Sequence, residues 1–314
     1  MSSVFPARWL RGTIGAAAAL AALVLAPQLQ AQSVAFTFDD GPILAATPHL
    51  GPQARNAAML AALARHQVQA ALFVTVGNGA DRPEGLALAR AWGQAGHALA
   101  NHTMTHPDLD SDKVTLAQYQ QEVLDCDRVI AALPGYQKWY RFTYLREGNS
   151  KEKHDGMRAF LRQQGYRNGY VTLDTSDWRL NEKLTEVLMK NPQANVEPIR
   201  LAYLAHIRQR ALAYRELGQR LQGRDIPQVL LLHHNLINAM WLDDVIRQFK
   251  DMGWTITTPA QAYEDPVYRF MPERPGGSLL LAMGRSLGLK PAELGLRLMD
   301  DGDFEIEALA QQGL

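Results

Sequence analysis

Short apolar runs recur along the chain between residues 34 and 258, and longer segments of helical periodicity separate them. Seven of these runs predict β-strands, at residues 34–38, 70–76, 97–101, 138–142, 168–173, 228–233 and 254–258. The intervening segments, such as NAAMLAALARH and LAQYQQEVLDCDRVIAAL, read as amphipathic helices. Strands that alternate with helices favour parallel βαβ units, and six or more such units favour a (β/α) barrel over an open sheet.

The pattern of apolar and turn-forming residues changes after Tyr263. The segment EDPVYRFMPERPGG carries three prolines and a glycine pair, and helical periodicity then returns in SLLLAMGRSLGL and PAELGLRLMDDGDFEIEALAQQ. We therefore expect a main domain at residues 32–264 and a helical C-terminal extension at residues 265–314. Within it, MDDGDFE lacks the twelve-residue pattern of a calcium loop, so a turn before the next helix is the better interpretation.

The first residues have the layout of a secretory signal peptide. Arg8 and Arg11 precede the apolar residues 13–26, and the small Ala31 follows. The apolar stretch is shorter than the ~20 residues of a spanning helix, although an uncleaved anchor is the alternative. We expect residues 1–31 to be removed and the protein to be exported to the periplasm or the medium.

Composition narrows the class of protein further. Lys and Arg together number 32, as do Asp and Glu, so the formal net charge is zero and no nucleic-acid partner is expected. Cys126 is the only cysteine, so no disulfide forms within the chain. We expect a monomer without membrane association beyond export.

Polar side chains able to do chemistry cluster at the ends of the predicted strands. The carboxyl ends of barrel strands converge on one mouth, so these side chains are expected to meet in space. They are Asp39 and Asp40 after strand one, NHTMTH after strand three, Arg141 in strand four, DTSDW after strand five, and His233 and His234 at the end of strand six.

His102 and His106 stand four residues apart. On a helical turn their Cβ atoms would lie about 6 Å apart on one face, which suits the chelation of a metal. Two imidazoles and one carboxylate are a ligand set typical of catalytic zinc. An isolated pair of this kind arises often by chance, but an acidic pair delivered to the same mouth favours the metal site.

Asp39 and Asp40 have a plain alternative interpretation as part of a DDGP turn. Against it, two adjacent carboxylates at the mouth of a buried strand repel each other unless a cation neutralises one. A division of roles removes this difficulty, because strand side chains alternate in direction. One aspartate would bind the metal and its neighbour would remain free as a base.

Five motifs in order resemble those of the polysaccharide deacetylases, the family with the NodB homology domain that is also called carbohydrate esterase family 4. The resemblance runs over about residues 34–260 and implies a distorted (β/α) barrel of about seven parallel strands. The motifs are TFDDG at 37–41, HTMTH at 102–106, RFTYLREG at 141–148, DTSDW at 174–178 and LLH at 231–233.

The resemblance implies roles for the residues at the first strand and its neighbours. Asp39 would be the general base, and Arg141 would orient it and keep it ionised. Asp40, His102 and His106 would hold a divalent metal, usually zinc.

The resemblance also implies roles for residues on the opposite side of the site, which would supply the general acid. His233 would be the general acid, bonded to Asp177, while Trp178 walls the pocket and the backbone N–H of Tyr144 helps to hold the oxyanion. The third motif usually has proline where this chain has Thr143, so the loop that positions Tyr144 is expected to be looser.

The adjacent His233 and His234 compete for the role of general acid. Both faces of the strand are apolar, so periodicity cannot choose between them. The residues that follow, NLINA, resemble the family pattern in a register that makes His233 the acid.

Two classes of function follow. The first is a metal-dependent hydrolase that removes acetyl groups from an N-acetylated polysaccharide or oligosaccharide, chitin-like or the glycan of peptidoglycan, or with less support O-acetyl groups from a polymer such as xylan. The second is a carbohydrate-binding relative without turnover. The presence of the base, the three ligands and the acid favours the enzyme.

Overall fold

The computed structural model describes residue 1, residues 32–295 and residues 298–313. The predicted signal peptide, apart from Met1, lies outside the described residues. Each of the seven apolar runs contains or overlaps an observed strand. The strands are β1 Ser33–Gly41, β2 Ala71–Val74, β3 Ala98–Asn101, β4 Tyr136–Tyr140, β5 Arg167–Asn168, β6 Gln228–His233 and β7 Thr255–Ile256.

The strands form a parallel sheet in the order β5-β4-β3-β2-β1-β6, with β7 paired to β1. The run predicted at 168–173 is a strand only at its start, and then makes a single bridge from Leu173 to Leu230 of β6. The sheet curls into a half-barrel, which confirms the expected distorted (β/α) barrel. Because every paired strand is parallel, the carboxyl ends of the strands lie on the same side.

Helices connect the strands and cover the sheet. They are α1 Pro52–His66, α2 Pro83–Gln94, α3 Leu116–Ile130, α4 Lys151–Gln163, α5 Asp177–Lys190, α6 Glu197–Gln222, α7 Leu236–Asp251, α8 Pro259–Tyr263, α9 Leu279–Ser286, α10 Pro291–Leu294 and α11 Asp303–Gln311. Among the described residues, no helix has the length and apolar character needed to cross a membrane.

The core lies between the sheet and these helices. The apolar residues of β1 are fully buried, and aromatic side chains from the helices pack against them. Phe36 meets Phe249 of α7 and Phe38 meets Trp92 of α2, with ring centroids 5.6 and 5.4 Å apart. Full burial of such a side chain stabilises the fold by roughly 1.5–3 kcal/mol, so the strand that carries the first motif is firmly held.

The predicted C-terminal helices are present and pack against the outside of the barrel. The N–H of Leu279 donates to the carbonyl of Val171 at 2.7 Å, which ties the start of α9 to the segment after β5. In α11, Glu305 pairs with the buried His206 of α6 at 3.1 Å. The extension therefore lies against α6 and close to the carboxyl ends of the strands.

Candidate active site

Asp39 and Asp40 lie at the end of β1, and their nearest charged partners differ, Arg141 for Asp39 and His106 for Asp40. Asp40 has φ +68°, a left-handed conformation that Asp adopts more readily than most residues. Its carbonyl accepts a hydrogen bond from the Asn78 side chain at 2.9 Å. Asp40 thus departs from regular strand geometry, and the division of roles between the two aspartates stays a prediction.

His102 and His106 lie in a loop after β3 and not on a helical turn, so the helical geometry considered for the pair is wrong. Thr103 and His106 have φ of +74° and +59°, which turns the chain back on itself. The imidazoles are nevertheless neighbours, with ring centroids 5.0 Å apart. The His102 Nδ1–H donates to the Arg141 carbonyl at 2.8 Å, which leaves Nε2 as the free acceptor.

These two imidazoles face Asp40. Their Nε2 atoms lie 3.5 Å (His102) and 3.2 Å (His106) from Asp40 Oδ1. Donor atoms of all three residues lie within 4.8 Å of one another, the one such group found among the described residues. Burial, assisted by the neighbouring His106, lowers the pKa of His102 to about 3, so its nitrogen lone pair is available at neutral pH. Two nitrogens and a carboxylate oxygen in this arrangement fit a divalent cation such as zinc.

Asp39 is buried beside this group and pairs with Arg141. The guanidinium Nη1 donates to Asp39 Oδ1 at 2.5 Å, while Asp39 Oδ2 lies 3.6 Å from His102 Nε2. Burial raises the pKa of Asp39, and the charge of Arg141 opposes that rise. The carboxylate is therefore oriented by one cation and placed next to the three predicted metal ligands.

Arg141 follows directly after β4 and is itself completely enclosed. It donates to the Gly169 carbonyl at 2.8 Å, to Thr37 Oγ1 at 3.0 Å and to Tyr263 Oη at 3.2 Å. The guanidinium also lies 3.8 Å from the centroid of the Phe73 ring. A buried charge with this many partners is rigid, and it fixes the direction of Asp39.

His233 lies across the cavity, where its Nδ1 is 2.6 Å from Asp177 Oδ1. The other Asp177 oxygen accepts hydrogen bonds from the His233 N–H at 2.9 Å and from the side chains of Asn235 and Asn238 at 3.0 and 2.6 Å. Burial lowers the pKa of His233, but the charge and hydrogen bond of Asp177 outweigh it and raise the pKa to about 10. His233 is thus held as an imidazolium with Nε2 available to the cavity.

His234 has the opposite environment. It is fully buried, and its Nε2 donates to Asn56 Oδ1 at 2.9 Å while its Nδ1 faces the Ile43 N–H at 3.5 Å. Burial lowers the pKa of His234 to about 3. A Cβ on the neighbouring Gly41 would lie 2.9 Å from the His234 Cβ, so only glycine fits there. The structure places His233 in the cavity and His234 in the core.

The loop with Tyr144 begins at Thr143, the residue that stands where the family usually has proline. Thr143 is fully buried, its N–H donates to Tyr119 Oη at 3.2 Å, and its hydroxyl lies 2.8 Å from the same atom. The hydroxyl of Thr143 donates in turn to the Pro107 carbonyl. These hydrogen bonds hold the loop without proline, so the expectation of a looser loop is not supported. Tyr144 has φ +55° and packs its ring against His106 with centroids 4.5 Å apart.

A cavity of about 780 Å³ brings the predicted residues together. Its lining includes Asp39, Asp40, His102, His106, Tyr144, Trp178 and His233. Arg141 and Asp177 stand behind this surface and contact Asp39 and His233. The sequence interpretation missed the other lining residues, among them Asp174, Arg210, Leu281, Met299 and Asp301. Asp174 could have been found, because it begins the fourth motif, whereas Arg210, Leu281, Met299 and Asp301 belong to no motif.

Residues 26–169 match the model of the polysaccharide deacetylase family. This segment contains the first three motifs, and the fourth and fifth motifs lie beyond it. The resemblance predicted from the motifs is confirmed over these residues, which are similar to the polysaccharide deacetylases.

The matched curated relatives are deacetylases. A chitooligosaccharide deacetylase of Sinorhizobium fredii is 40% identical over 100 residues, which are 32% of this chain and 40% of that protein. A peptidoglycan-N-acetylglucosamine deacetylase of Bacillus cereus is 29% identical over 147 residues, 46% of each chain. The chain therefore spans less than half the length of these relatives.

Solved structures share the fold. A crystal structure of a peptidoglycan N-acetylglucosamine deacetylase is similar with a TM-score of 0.50 and 22% identity, over 75% of this chain and 90% of that chain. This similarity concerns the architecture of the sheet and helices.

Proposed function

We propose that the protein is a metal-dependent hydrolase that removes acetyl groups from an N-acetylated polysaccharide or oligosaccharide. The observation that carries the proposal is that two groups of side chains line one cavity, one suited to accept a proton and the other suited to donate one. On one side Asp39 lies beside the group Asp40, His102 and His106, and on the other His233 is held protonated by Asp177. The names of the curated relatives, chitooligosaccharide and peptidoglycan deacetylases, support the substrate class.

Asp40, His102 and His106 would hold the metal, and we propose zinc from the donor set. When bound, a divalent cation supplies positive charge that polarises the acetyl carbonyl and makes water more acidic. Asp39, held by Arg141, accepts the proton of the attacking water. The Tyr144 N–H would stabilise the negative charge that develops on the carbonyl oxygen.

His233 completes the reaction by protonating the leaving nitrogen. An amide nitrogen leaves poorly as an anion, so N-deacetylation needs an acid, whereas an ester oxygen leaves more easily. The Asp177 carboxylate keeps His233 protonated at neutral pH, with a pKa of about 10. A protonated imidazolium in this position favours an amide substrate over the O-acetyl esters of a polymer such as xylan.

Acetate release tests this function. We expect the purified mature protein, loaded with metal, to release acetate from chitooligosaccharides or from peptidoglycan glycan, and more slowly from acetylated xylan. The Asp39→Asn variant is the matched control, because it keeps the shape of the site and removes the base. Binding of these glycans without acetate release above that control would support the carbohydrate-binding relative instead.

Three further points extend the proposal beyond the site. We propose that residues 1–31 direct export to the periplasm or the medium, that residues 32–264 form the catalytic domain with residues 265–314 as its extension, and that the protein is a monomer. Fractionation of the host with N-terminal sequencing tests the first point, and an intact Met1 in cytosolic protein would contradict it. Light scattering of the purified protein tests the last.

A further inference from the structure

The C-terminal extension forms part of the wall of the catalytic cavity. Leu281 of α9 and Leu298, Met299 and Asp301 of the segment before α11 line the same space as Asp39 and His233. None of these four residues falls in the segment that matches the deacetylase family, which ends at residue 169. The wall is contributed by the C-terminal extension.

Hydrogen bonds from the main domain hold this wall in place. Arg210 of α6 donates to the carbonyl of Asp300, and the Ser176 hydroxyl lies 3.5 Å from the same oxygen. The Asp300 carboxylate accepts from the Gly302 N–H at 3.2 Å and from the Asp303 N–H at 3.1 Å. These last bonds form the turn predicted for MDDGDFE. A loop fixed on both sides can present its remaining side chains in a defined direction.

Three side chains on or facing this wall are available to a ligand. Met299 is 40% exposed and presents an apolar surface, and Asp301 is exposed beside it in the chain. Asp174 faces the cavity from the main domain. Neither carboxylate makes a hydrogen bond within the described part of the chain. Burial raises the pKa of Asp174 to about 6, and the charge of Arg210 opposes that rise. Asp174 and Asp301 line the same cavity.

We propose that Met299, Asp301 and Asp174 form a subsite for the sugar unit next to the one that loses its acetyl group. Carboxylates accept hydrogen bonds from sugar hydroxyls, and an apolar side chain packs against the C–H face of a pyranose ring. A cavity of about 780 Å³ lies in the size range of small-ligand sites and exceeds what an acetyl group fills. This inference rests on the proposed function, because it names the glycan contacts of that same site.

The test compares substrates of different length and two pairs of variants. Acetate release is measured on N-acetylglucosamine and on its β-1,4-linked dimer and trimer, for the wild type, Met299→Ala, Asp301→Ala and the double variant. Met271→Ala and Glu307→Ala are the matched controls, since both residues are exposed in the extension and do not line the cavity. Binding of the same sugars is measured in parallel by tryptophan fluorescence in an Asp39→Asn background, where Trp178 reports from the cavity wall.

We expect each substitution in the wall to raise KM for the dimer and trimer about 3- to 10-fold, the effect of one lost contact, with kcat unchanged. The monosaccharide should be processed equally by all variants, because it does not reach the wall. Equal KM values for the dimer and trimer in the wild type and the double variant would overturn the subsite, even if acetate is released normally. If no acetate is released but binding of the dimer weakens in the double variant, the subsite stands and the proposed hydrolysis fails.

Discussion

The two sides of the cavity are built in different ways. On the side of β1, β3 and β4, charged groups are buried and each is fixed by several partners, as Arg141 is by Asp39, Thr37 and the Gly169 carbonyl. On the side of the extension, the loop backbone is fixed, and two of the side chains that face the cavity, Met299 and Asp301, are exposed.

This difference matches what the proposed reaction requires of each side of the cavity. A group that moves a proton must keep its direction and its charge, and burial among fixed partners provides both. A group that contacts a neighbouring sugar can adjust its rotamer without loss of the reaction. We therefore expect substitutions on the first side to act on kcat and those on the second to act on KM.

The largest effect is expected from Asp39. Asp39→Asn removes the base but keeps the shape of the site, so we expect kcat to fall about 100- to 10,000-fold while the metal content stays unchanged. Asp40→Asn should instead weaken metal binding, because Asp40 lies with His102 and His106 in the candidate ligand group. Elemental analysis and acetate release on both variants check this. Equal loss of metal in the two would refute the division of roles.

The next largest effect is expected from the adjacent histidines His233 and His234. His233→Ala should reduce kcat by about 100-fold or more, since it removes the acid, and it should also lower the free energy of unfolding, because the buried Asp177 loses its partner. His234→Ala should keep its metal and much of its kcat at low temperature, but its free energy of unfolding should fall by about 2–4 kcal/mol, because a buried side chain and its bond to Asn56 are lost. Urea unfolding and acetate release separate the two. If His234→Ala is stable but inactive, the roles are reversed.

Asp177→Asn should change the pH dependence. In the wild type the carboxylate raises the pKa of His233 to about 10, so the acid stays protonated at pH 8. Without that charge, the pKa of His233 falls below its wild-type value, because burial is opposed only by the more distant carboxylates of Asp39 and Asp40. The acid form is then lost at a lower pH than in the wild type, and activity should fall about tenfold for each unit of pH above the lowered pKa. The control is Asp243→Asn, which removes an aspartate that pairs with His66 and does not line the cavity. A wild-type pH profile of activity in Asp177→Asn would contradict the proposed role of Asp177.

A smaller effect on kcat is expected from changes in the loop that begins at Thr143 and carries Tyr144. Tyr119→Phe removes the hydroxyl that accepts the Thr143 N–H, and we expect kcat to fall about 10-fold as Tyr144 loses its position. Adding Thr143→Pro removes that N–H, and Phe142 already has φ −66° and ψ 135°, which suit a residue before proline. The double variant should recover activity. Lower activity in the double variant than in Tyr119→Phe would show that the hydroxyl network does not replace the proline.

The smallest effect concerns the attachment of the extension. Glu305→Ala removes the partner of His206, whose Nε2 accepts the Ser176 N–H at 2.9 Å. We expect the free energy of unfolding to fall by about 1 kcal/mol and KM for the dimer to rise slightly, with kcat unchanged. Glu307→Ala, two residues along α11, is the control. A loss of kcat would mean that the extension positions the reacting groups, and the contrast between the two sides would fail.

The strands β1, β2, β3 and β6 could be predicted from the sequence because they are short runs that are buried almost throughout. Asp39, Asp40 and His233 were predictable as a group because parallel strands deliver their ends to one side. The conformation of the loop at His102 and His106 was not predictable. Its left-handed residues, Thr103 and His106, are not glycines, and glycine is the residue that usually indicates this conformation in a sequence.

The wall of the extension could not be predicted at all. Arg210 and Met299 lie far apart in the chain, and neither belongs to a motif. Only the packing of α6 and α11 makes them neighbours of the catalytic groups. The hydrogen bonds of Thr143 were hidden for the same reason, because Tyr119 comes from a different helix.

The pairing of β1 with β6 has a consequence for how this site tolerates change during evolution. Asp39 and His233 are partners in register on adjacent parallel strands, and the His234 N–H donates to the Asp39 carbonyl at 3.0 Å. The span between the two groups is thereby set by the spacing of neighbouring strands, about 4.8 Å. Insertions in the connection between α5 and α6, residues 191–196, leave that span untouched, whereas one inserted residue inside β6 would turn His233 away from the cavity. Loops around the cavity can therefore diversify toward new glycans while the proton-transfer geometry is inherited with the sheet.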